Sequence, residues 1–517
     1  MNKKDDSAII RERKGSFFTP QNWVELSQKY IADALGDDWQ NNYYVWDCCA
    51  GTGNLLVGIN RKPENVFAST IDESDVKAMY DRIDNGARLL KRNVFQFDFL
   101  NDDFKKLPKK LKDIIDDPEK RKKLVIYINP PYAEGDSKIG SGRKGIQISK
   151  IQSQYKNQLG KASSEIFAQF FVRIYSEIPN CILANFSKIK IIQAPNFTFF
   201  RQYFKPKLIK LFIMPAETFD NVNGKFPIGF FIWDFKIKSI FKKIKADIFG
   251  QNGKLICKKE IISYDKVKYI SEWLEVYSDN ISNKYIGHLA SVGNDFQHQR
   301  DVYIDDVNRQ KIKGGRHTMI TVENLVVSSI YFSVRHCIKA DWLNDRDQFL
   351  FPNDDWEKDT EFQNNCLTYT LFNNNIQSKY GINYWIPFNE EEVNARGIFK
   401  SHFMTKFING KFINNGNGDL FLNISIRKKP LKFSKEAKDV FEAGKLLFKY
   451  YHSIPRVNVD ASLYDIKLYF QGAKDGRMNN KSNDEEYNRL ISNLREKMKI
   501  LAAVIEPKVY EYGFLFR

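Results

Sequence analysis

The sequence predicts an α/β protein whose first half forms a doubly wound, seven-stranded, Rossmann-like sheet. Residues 43–235 alternate short apolar, β-branched and aromatic runs with helix-like stretches, which is the βαβ pattern of such a sheet. Several of these runs end at a polar side chain, and two glycines follow the first run. These features predict a ligand site at the carboxyl ends of the strands, where open α/β sheets bind ligands.

Polar side chains end the first four predicted strands. They are Asp47, Asp72, Asp98 and Asn129. Asp and Asn also follow strands as turn residues and helix caps, which explains any one of these positions but explains all four together less well. The seven predicted strands, in chain order, are YYVWD, VFASTID, NVFQF, LVIYIN, CILANF, LIKLFIM and IGFFIWDF.

Length and charge limit the domain organisation and the kind of partner that the chain can have. A chain of 517 residues is expected to contain more than one core, and we predict a catalytic domain over residues 1–240 and a second, α+β region over residues 241–517. The formal charge of +17 favours a polyanionic partner such as nucleic acid. An AT-rich genome, which enriches Lys, Asn, Ile and Phe together, is the alternative explanation of the composition.

The cysteines and the hydropathy indicate where the protein works. The six cysteines include no CxxC pair and no regular spacing, so neither a zinc site nor a disulfide framework is indicated, and a reducing cytoplasm is expected. The N-terminal residues lack the apolar stretch of a signal peptide, and no segment reaches eighteen apolar residues. We therefore expect a soluble protein with no membrane partner.

A glycine-containing turn follows the first predicted strand, in the run DCCAGTGNL. Gly51 and Gly53 permit a tight turn that brings the backbone close to a ligand, directly after Asp47. A dinucleotide fingerprint would place a third glycine at position 56, where this chain has Leu56. NAD and FAD are therefore disfavoured, although a nicotinamide-dependent oxidoreductase stays a competing interpretation.

Two further acids are candidates for holding a nucleoside. Asp72 is placed to accept hydrogen bonds from ribose hydroxyls, and a one-residue slip would give that role to Glu73. Asp98 is placed to accept from an adenine amine, and Phe99 offers an apolar face beside it.

The motif that points most clearly to a chemistry is Asn129-Pro130-Pro131-Tyr132. An adenine amine is a poor nucleophile because its lone pair is delocalised into the ring. The Asn129 side-chain oxygen and the Pro130 carbonyl can accept both amine hydrogens and stabilise the charge that develops during methyl transfer. The prolines make the backbone rigid, and Tyr132 offers a flat face on which an extruded base can stack. A Pro-Pro turn after a buried strand is the alternative.

In this order of motifs the sequence resembles the gamma-class amino-methyltransferases of restriction-modification systems, which transfer a methyl group from S-adenosylmethionine to adenine in DNA. Residues 15–20, GSFFTP, are similar to the GxFYTP segment of that family, which precedes the glycine turn and helps hold the methionine part of the cofactor. Read without the resemblance, Thr19 and Pro20 are a plain helix start. The resemblance covers residues 11–236, and the usual layout of the family implies that residues 241–517 form a target-recognition, DNA-binding region.

The resemblance implies a role for each matching residue. Phe219 resembles the aromatic residue that stacks on the flipped base opposite Tyr132, although a core position is an equal alternative for it. The implied cofactor-binding residues are Thr19, Asp47, Gly51, Gly53, Asp72, Asp98 and Phe99, and the implied catalytic residues are Asn129, Pro130, Pro131 and Tyr132.

Other segments give weaker signals. Residues 133–161, which include Arg143 and Lys144, are predicted to be a mobile basic loop that closes over DNA, with a plain surface loop as the alternative. Lys313 and Arg316 lie in a basic, glycine-containing turn that could contact bases or phosphates, or be an ordinary exposed turn. Residues 341–355 are rich in acids and are interpreted as loops. From Ser482 a capping box and helical apolar spacing predict a packed helix.

Together these observations predict a site-specific DNA adenine-N6 methyltransferase of a bacterial or phage-type host. It would use S-adenosylmethionine and no metal, and it would act on double-stranded DNA. It would belong to a restriction-modification system with a separately encoded endonuclease, or it would modify DNA without one. The short segment before the GxFYTP-like residues leaves no room for a fused nuclease. The alternatives are methylation of RNA adenine or of a protein glutamine, and a non-catalytic DNA-binding module.

Overall fold

The structure is a computed structural model that describes residues 18–132, 148–219, 224–278, 284–307, 315–411 and 429–516. The chain divides into two compact units. The first comprises Met1–Asp265 together with Asp341–Arg346, and the second comprises Lys266–Ala340 and Asp347–Arg517. The predicted boundary at residue 240 therefore lies inside the first unit, and a short segment from far along the chain joins that unit.

The first unit is built on one nine-stranded sheet with the order β3-β2-β1-β4-β5-β7-β6-β8-β9. The first five strands in this order are parallel, and β7 is antiparallel to both of its neighbours, β5 and β6. The strands are Tyr44–Asp47 (β1), Val66–Thr70 (β2), Val94–Gln96 (β3), Leu124–Ile128 (β4), Ile182–Lys188 (β5), Pro206–Pro215 (β6), Pro227–Lys238 (β7), Lys243–Phe249 (β8) and Leu255–Ile262 (β9).

The seven predicted strands are all present, and the predicted doubly wound α/β fold is confirmed. β2 and β4 are buried at every position, which is why they appear in the sequence as continuous apolar runs. β8 and β9 extend the sheet beyond the seven predicted strands, because β8 pairs in parallel with β6 and antiparallel with β9. They continue the first unit to Asp265.

Helices cover both faces of this sheet. Alternate residues of β4 enter opposite cores, because Val125 and Tyr127 pack with α1 and α3 while Leu124 and Ile126 pack with α4 and α8. The helices of the first unit are Gln21–Leu35 (α1), Trp39–Asn42 (α2), Glu73–Asp84 (α3), Lys109–Asp116 (α4), Pro118–Arg121 (α5), Lys150–Gln154 (α6), Lys156–Leu159 (α7), Ile166–Glu177 (α8), Lys190–Gln193 (α9) and Thr198–Tyr203 (α10).

Part of the segment that was predicted to be a mobile basic loop is helical. Residues 133–147 lie outside the described residues, but α6 and α7 occupy residues 150–159. The Ser149 hydroxyl accepts from the Gln152 amide at 2.9 Å and so caps α6. Ile151, Tyr155 and Leu159 are buried and stand four residues apart, so one apolar face packs on the unit.

The second unit is mainly helical around a single large core. A three-stranded antiparallel sheet with the order β11-β10-β12 and a two-stranded ribbon complete it. Its strands are Gly287–Ser291 (β10), Tyr303–Asp305 (β11), Arg316–Ile320 (β12), Ala473–Lys474 (β13) and Arg477–Met478 (β14). Its helices are Ile270–Val276 (α11), Leu325–His336 (α12), Thr360–Leu371 (α13), Glu390–Val393 (α14), Phe403–Ile408 (α15), Lys435–Ser453 (α16), Leu463–Gln471 (α17) and Glu485–Glu511 (α18).

The predicted C-terminal helix is present as α18, with a different cap. Asp484, not Ser482, caps it, because the Asp484 carboxylate accepts from the Tyr487 amide at 2.8 Å. The apolar side chains at helical spacing, such as Leu490 and Leu494, are buried as predicted. Within the described ranges no helix is both long and apolar enough to cross a membrane.

Candidate functional site

The candidate site lies where the order of the parallel strands reverses. From β1 the chain proceeds outward through β2 and β3, whereas β4 lies on the other side of β1 and continues to β5. Trp46 pairs with Ile126 across the β1–β4 ladder, so Asp47, the last residue of β1, and Asn129, the residue after β4, lie at the same carboxyl edge. Such a switch point forms the ligand crevice of doubly wound sheets.

Two side-chain hydrogen bonds and one backbone hydrogen bond hold the predicted tetrad in place. The Tyr132 hydroxyl donates to Asn129 Oδ1 at 2.6 Å, and Asn129 Nδ2 donates to Thr19 Oγ1 at 2.9 Å. Lys188 Nζ donates to the Tyr132 carbonyl at 3.0 Å. Tyr132 is 5% exposed, and burial raises its pKa well above the usual range, so its hydroxyl stays protonated and acts as a donor. Asn129 therefore has a defined carboxamide orientation.

Thr19 connects the tetrad to the glycine turn. Its side chain is 4% exposed and accepts from Asn129, while its backbone carbonyl accepts from Asn54 Nδ2. Thr19 was predicted to contact the cofactor, and its hydrogen bond to Asn129 was not foreseen. Gly15–Phe17 of the GxFYTP-like segment lie outside the described residues.

The glycine turn leaves room for a ligand. Gly51 and Gly53 have φ values of +52° and +80°, the left-handed region that favours glycine. A Cβ at Gly51 would have no neighbour within 4 Å, so the space beside this backbone is open. Thr52 Oγ1, between the two glycines, is buried with no hydrogen-bond partner among the described residues. A buried hydroxyl without a partner is unusual and fits a site that a polar ligand completes.

Asp47 adds a buried carboxyl group beside this turn. It is 1% exposed, its Oδ1 accepts from the Cys49 amide at 3.1 Å, and burial raises its pKa to about 7. A cationic ligand group would offset the desolvation of this carboxylate. The ammonium group of S-adenosylmethionine has the required charge, so the residues present fit this cofactor.

The strands end earlier than predicted at the next two acids. β2 ends at Thr70, so Asp72 is the half-buried N-cap residue of α3 rather than the last residue of the strand. Glu73 is exposed and pairs with Lys77 at 2.9 Å. Of the two acids, Asp72 lies closer to the strand end and is less exposed.

Asp98 and Phe99 follow β3, which ends at Gln96. The Asp98 carboxylate accepts from the Leu100 amide at 2.9 Å and from Asn101 Nδ2 at 2.8 Å, so it shapes the turn as well as facing the edge of the sheet. Phe99 is 2% exposed and stacks on Phe170 at 5.0 Å. In this structure Phe99 belongs to the core.

The structure separates two candidate aromatic residues for base stacking. Phe219 is 2% exposed and packs edge-on against Phe186 with ring centroids 6.0 Å apart, which is a core environment. Phe226 is only half-buried and lies 5.9 Å from Lys188 Nζ, the group that binds the Tyr132 carbonyl. The sequence analysis missed Phe226 because a Phe-Pro pair at a strand start looked like part of the strand.

Only one of the four residues predicted to contact DNA lies in the described ranges. Arg143, Lys144 and Lys313 lie outside the described residues. Arg316 begins β12 in the second unit and pairs with Glu275 at 2.9 Å on the surface. Among the residues that the structure describes, no group of three or more His, Cys, Asp or Glu side chains could hold a metal ion.

The antiparallel seventh strand lies between the fifth and the sixth, and the candidate site lies at the switch point of the sheet. Both features are typical of the Rossmann-like methyltransferase fold. Residues 8–160 match the family model described as N-6 DNA methylase. Over that segment the chain is similar to the N-6 DNA methylase family, in agreement with the resemblance predicted from the sequence motifs.

Solved structures provide more distant similarities. The methyltransferase subunit of a type I restriction-modification system from Streptococcus thermophilus is 18% identical, with a TM-score of 0.33, over 47% of this chain and 50% of that one. DrdV in complex with DNA is 14% identical, with a TM-score of 0.35, over 47% of this chain and 28% of DrdV. The chain thus spans half or less of the length of these two proteins. The comparison with curated proteins gave no match.

Proposed function

We propose that the protein is a site-specific DNA adenine-N6 methyltransferase that uses S-adenosylmethionine, in a restriction-modification or solitary modification role. The observation that carries this proposal is the Asn129 carboxamide, held by Thr19 and Tyr132 at the switch point of the sheet. The match of residues 8–160 to the N-6 DNA methylase family supports the same substrate class. The partner is double-stranded DNA, and any endonuclease is separately encoded.

S-adenosylmethionine would lie along the glycine turn and supply an electrophilic methyl group. The backbone at Gly51 allows its close approach, and the Thr52 hydroxyl gains a partner. Asp47 would hold its ammonium group, and Asp72 would hold its ribose hydroxyls. Asp98 would accept from its adenine amine through Oδ2, because a carboxylate offers about four acceptor positions and the Leu100 and Asn101 donors use three of them.

Asn129 and Pro130 act on the adenine that receives the methyl group. Asn129 Oδ1 and the Pro130 carbonyl accept the two amine hydrogens, which favours a tetrahedral nitrogen with its lone pair available. Asn129 Oδ1 accepts from the Tyr132 hydroxyl, and a carboxamide oxygen has two lone pairs, so it has the capacity to accept from the amine as well. Pro131 limits the movement of this backbone. The reaction is an in-line transfer without a covalent enzyme intermediate.

The target adenine has to leave the DNA stack, since an amine inside a duplex is out of reach of a site at a sheet edge. We assign the two faces of the extruded base to Tyr132 and an aromatic residue of the segment before β7. Phe226 suits this role better than the predicted Phe219, because Phe226 is only partly buried and neighbours Lys188. The second unit, including Arg316, and the basic residues Arg143, Lys144 and Lys313 are assigned to DNA binding.

Mapping of modified bases tests this proposal. The chain is expressed in a bacterial host without its own DNA methylation, and its genomic DNA is sequenced by a method that detects N6-methyladenine. We expect methylation of adenine within one short sequence, and none in cells that express Asn129→Ala. Unmodified DNA together with methylated RNA adenine or methylated protein glutamine would contradict it.

A further inference from the structure

A small cavity lies next to the tetrad in the first unit. Its volume is about 140 Å³, and three of its six lining residues are cations while none is an acid. The lining residues are Lys188, Ile189, Lys190, Phe226, Pro227 and Arg346. Because Lys188 binds the Tyr132 carbonyl, the cavity adjoins the place where the target base would lie.

The two lysines are held by one buried carboxylate. Glu165 has a side chain that is 3% exposed, and its Oε1 pairs with Lys190. Its Oε2 lies 4.0 Å from Lys188 Nζ. The Lys190 and Lys188 side chains are only 9% and 19% exposed, so their ammonium groups are largely removed from solvent. Charges placed in this way act more strongly on a ligand than those of surface lysines.

Arg346 reaches the cavity on a segment remote in sequence. Asp341–Arg346 belongs to the first unit although its chain neighbours on both sides belong to the second. The Leu343 carbonyl accepts from Lys259 Nζ at 3.2 Å, and Asp341 Oδ1 accepts from the Leu343 amide at 2.8 Å. The chain therefore anchors this turn to the first unit, and Arg346 is held at the cavity.

We propose that this cavity binds a phosphate group of the DNA strand beside the extruded adenine. Three cationic side chains, Lys188, Lys190 and Arg346, line the cavity, and the acids that pair with them, Glu165 and Asp345, do not line it. An arginine guanidinium donates two parallel hydrogen bonds to a phosphate, and the lysines add point charges.

This inference rests on the proposed function and adds a coupling to it. The same Lys188 ammonium group that contacts the phosphate also holds the Tyr132 carbonyl, so binding of the strand and positioning of the tetrad involve one side chain. The partly buried ring of Phe226 lines the same cavity, and its centroid lies 5.9 Å from Lys188 Nζ.

The test uses neutral phosphate analogues in a duplex that carries the mapped recognition sequence. Each phosphate within three nucleotides of the target adenine is replaced in turn by a methylphosphonate, and binding is measured by fluorescence anisotropy with S-adenosylhomocysteine present. We expect wild-type affinity to fall about tenfold or more at one or two adjacent positions, the scale of a hydrogen bond to a charged group. Arg346→Gln should bind the unmodified duplex about tenfold more weakly than wild type does. Methylphosphonates at those positions should then lower the affinity of this variant little further.

A matched control removes an arginine elsewhere in the first unit. Arg82 is exposed in the last turn of α3, toward the amino edge of the sheet, so Arg82→Gln should reproduce the wild-type pattern. Full sensitivity of Arg346→Gln to the same analogues would overturn the inference. The inference would also be overturned if the wild-type protein methylates this DNA but binds every methylphosphonate duplex as tightly as the unmodified one. That measurement needs no variant. A wild-type protein that methylates no DNA would instead refute the proposed function.

Discussion

Replacing Thr19 by Val should separate the orientation of the catalytic amide from the binding of the cofactor. Val has the shape of Thr but lacks the hydroxyl that accepts from Asn129 Nδ2 at 2.9 Å. The backbone carbonyl of Thr19, which accepts from Asn54 on the glycine turn, is left in place. The substitution therefore removes one interaction with the tetrad and keeps the link to the cofactor site.

The magnitude follows from the loss of that hydrogen bond. A neutral hydrogen bond in a protein contributes about 1 kcal/mol net. Since this bond holds the Asn129 carboxamide in position for the substrate amine, its loss should lower kcat about fivefold. Thr19 is 4% exposed, so Asn129 Nδ2 would be left without this partner and the free energy of unfolding should fall by about 1 to 3 kcal/mol.

The assay is transfer of a tritiated methyl group to DNA, with kcat and KM measured separately for cofactor and DNA. For Thr19→Val we expect a lower kcat and a cofactor KM within a few-fold of wild type, and Thr19→Ser should restore kcat because it keeps the hydroxyl. An unchanged kcat for Thr19→Val, or a loss that the Ser variant shares, would refute the orientation role of this hydroxyl.

Four further predictions address the other parts of the site. Burial raises the pKa of Asp47 to about 7, so in the free protein the carboxyl is protonated below that pH. The cofactor Kd should therefore rise about tenfold per pH unit from pH 7 to pH 5. In calorimetry, Asp47→Asn should flatten this dependence of Kd on pH. By the same shift, Asp47 should make the fold less stable as pH rises from about 4 to 7, because over that range the folded protein retains a proton that the unfolded chain has lost. Asp72→Ala should weaken cofactor binding, whereas Glu73→Ala should leave it unchanged; the reverse result would transfer the ribose role to Glu73. A fluorescent adenine analogue at the target position should emit more strongly in the Phe226→Leu complex than in the wild-type complex, and Phe219→Leu is the matched comparison. Equal emission from the Phe226→Leu and wild-type complexes would contradict stacking of Phe226 on the base.

The sequence predicted the centre of the sheet better than its margins. β2 and β4 are buried on both faces, and such strands appear as unbroken apolar runs. β8 and β9, at the margin of the sheet, were missed because their exposed positions carry lysines, as in KIKADIF and LICKKEII, and β9 is the edge strand. The helices at residues 150–159 were missed because their polar composition concealed three apolar residues spaced four apart.

For the site, the sequence predicted which residues share an edge, but not how they contact each other. Asn129 and Asp47 are brought to one edge by strands whose register follows from the apolar pattern. The bond from Asn129 to Thr19 joins residues 110 positions apart, and Arg346 reaches the cavity from a segment remote in the chain. Such contacts depend on tertiary packing, which local sequence patterns do not specify. Phe226 was missed for a local reason, since Phe and Pro at a strand start also suit the strand.

The most direct test of the central claim is single-turnover methyl transfer by Asn129→Ala. Losing an acceptor that acts mainly in the transition state should cost about 2 to 4 kcal/mol, a decrease in rate of roughly 30- to 1,000-fold. Calorimetry on the same protein should give a cofactor Kd within a few-fold of wild type, because Asn129 contacts the substrate amine and not the cofactor. Transfer at the wild-type rate would contradict the assignment of Asn129 as the catalytic acceptor.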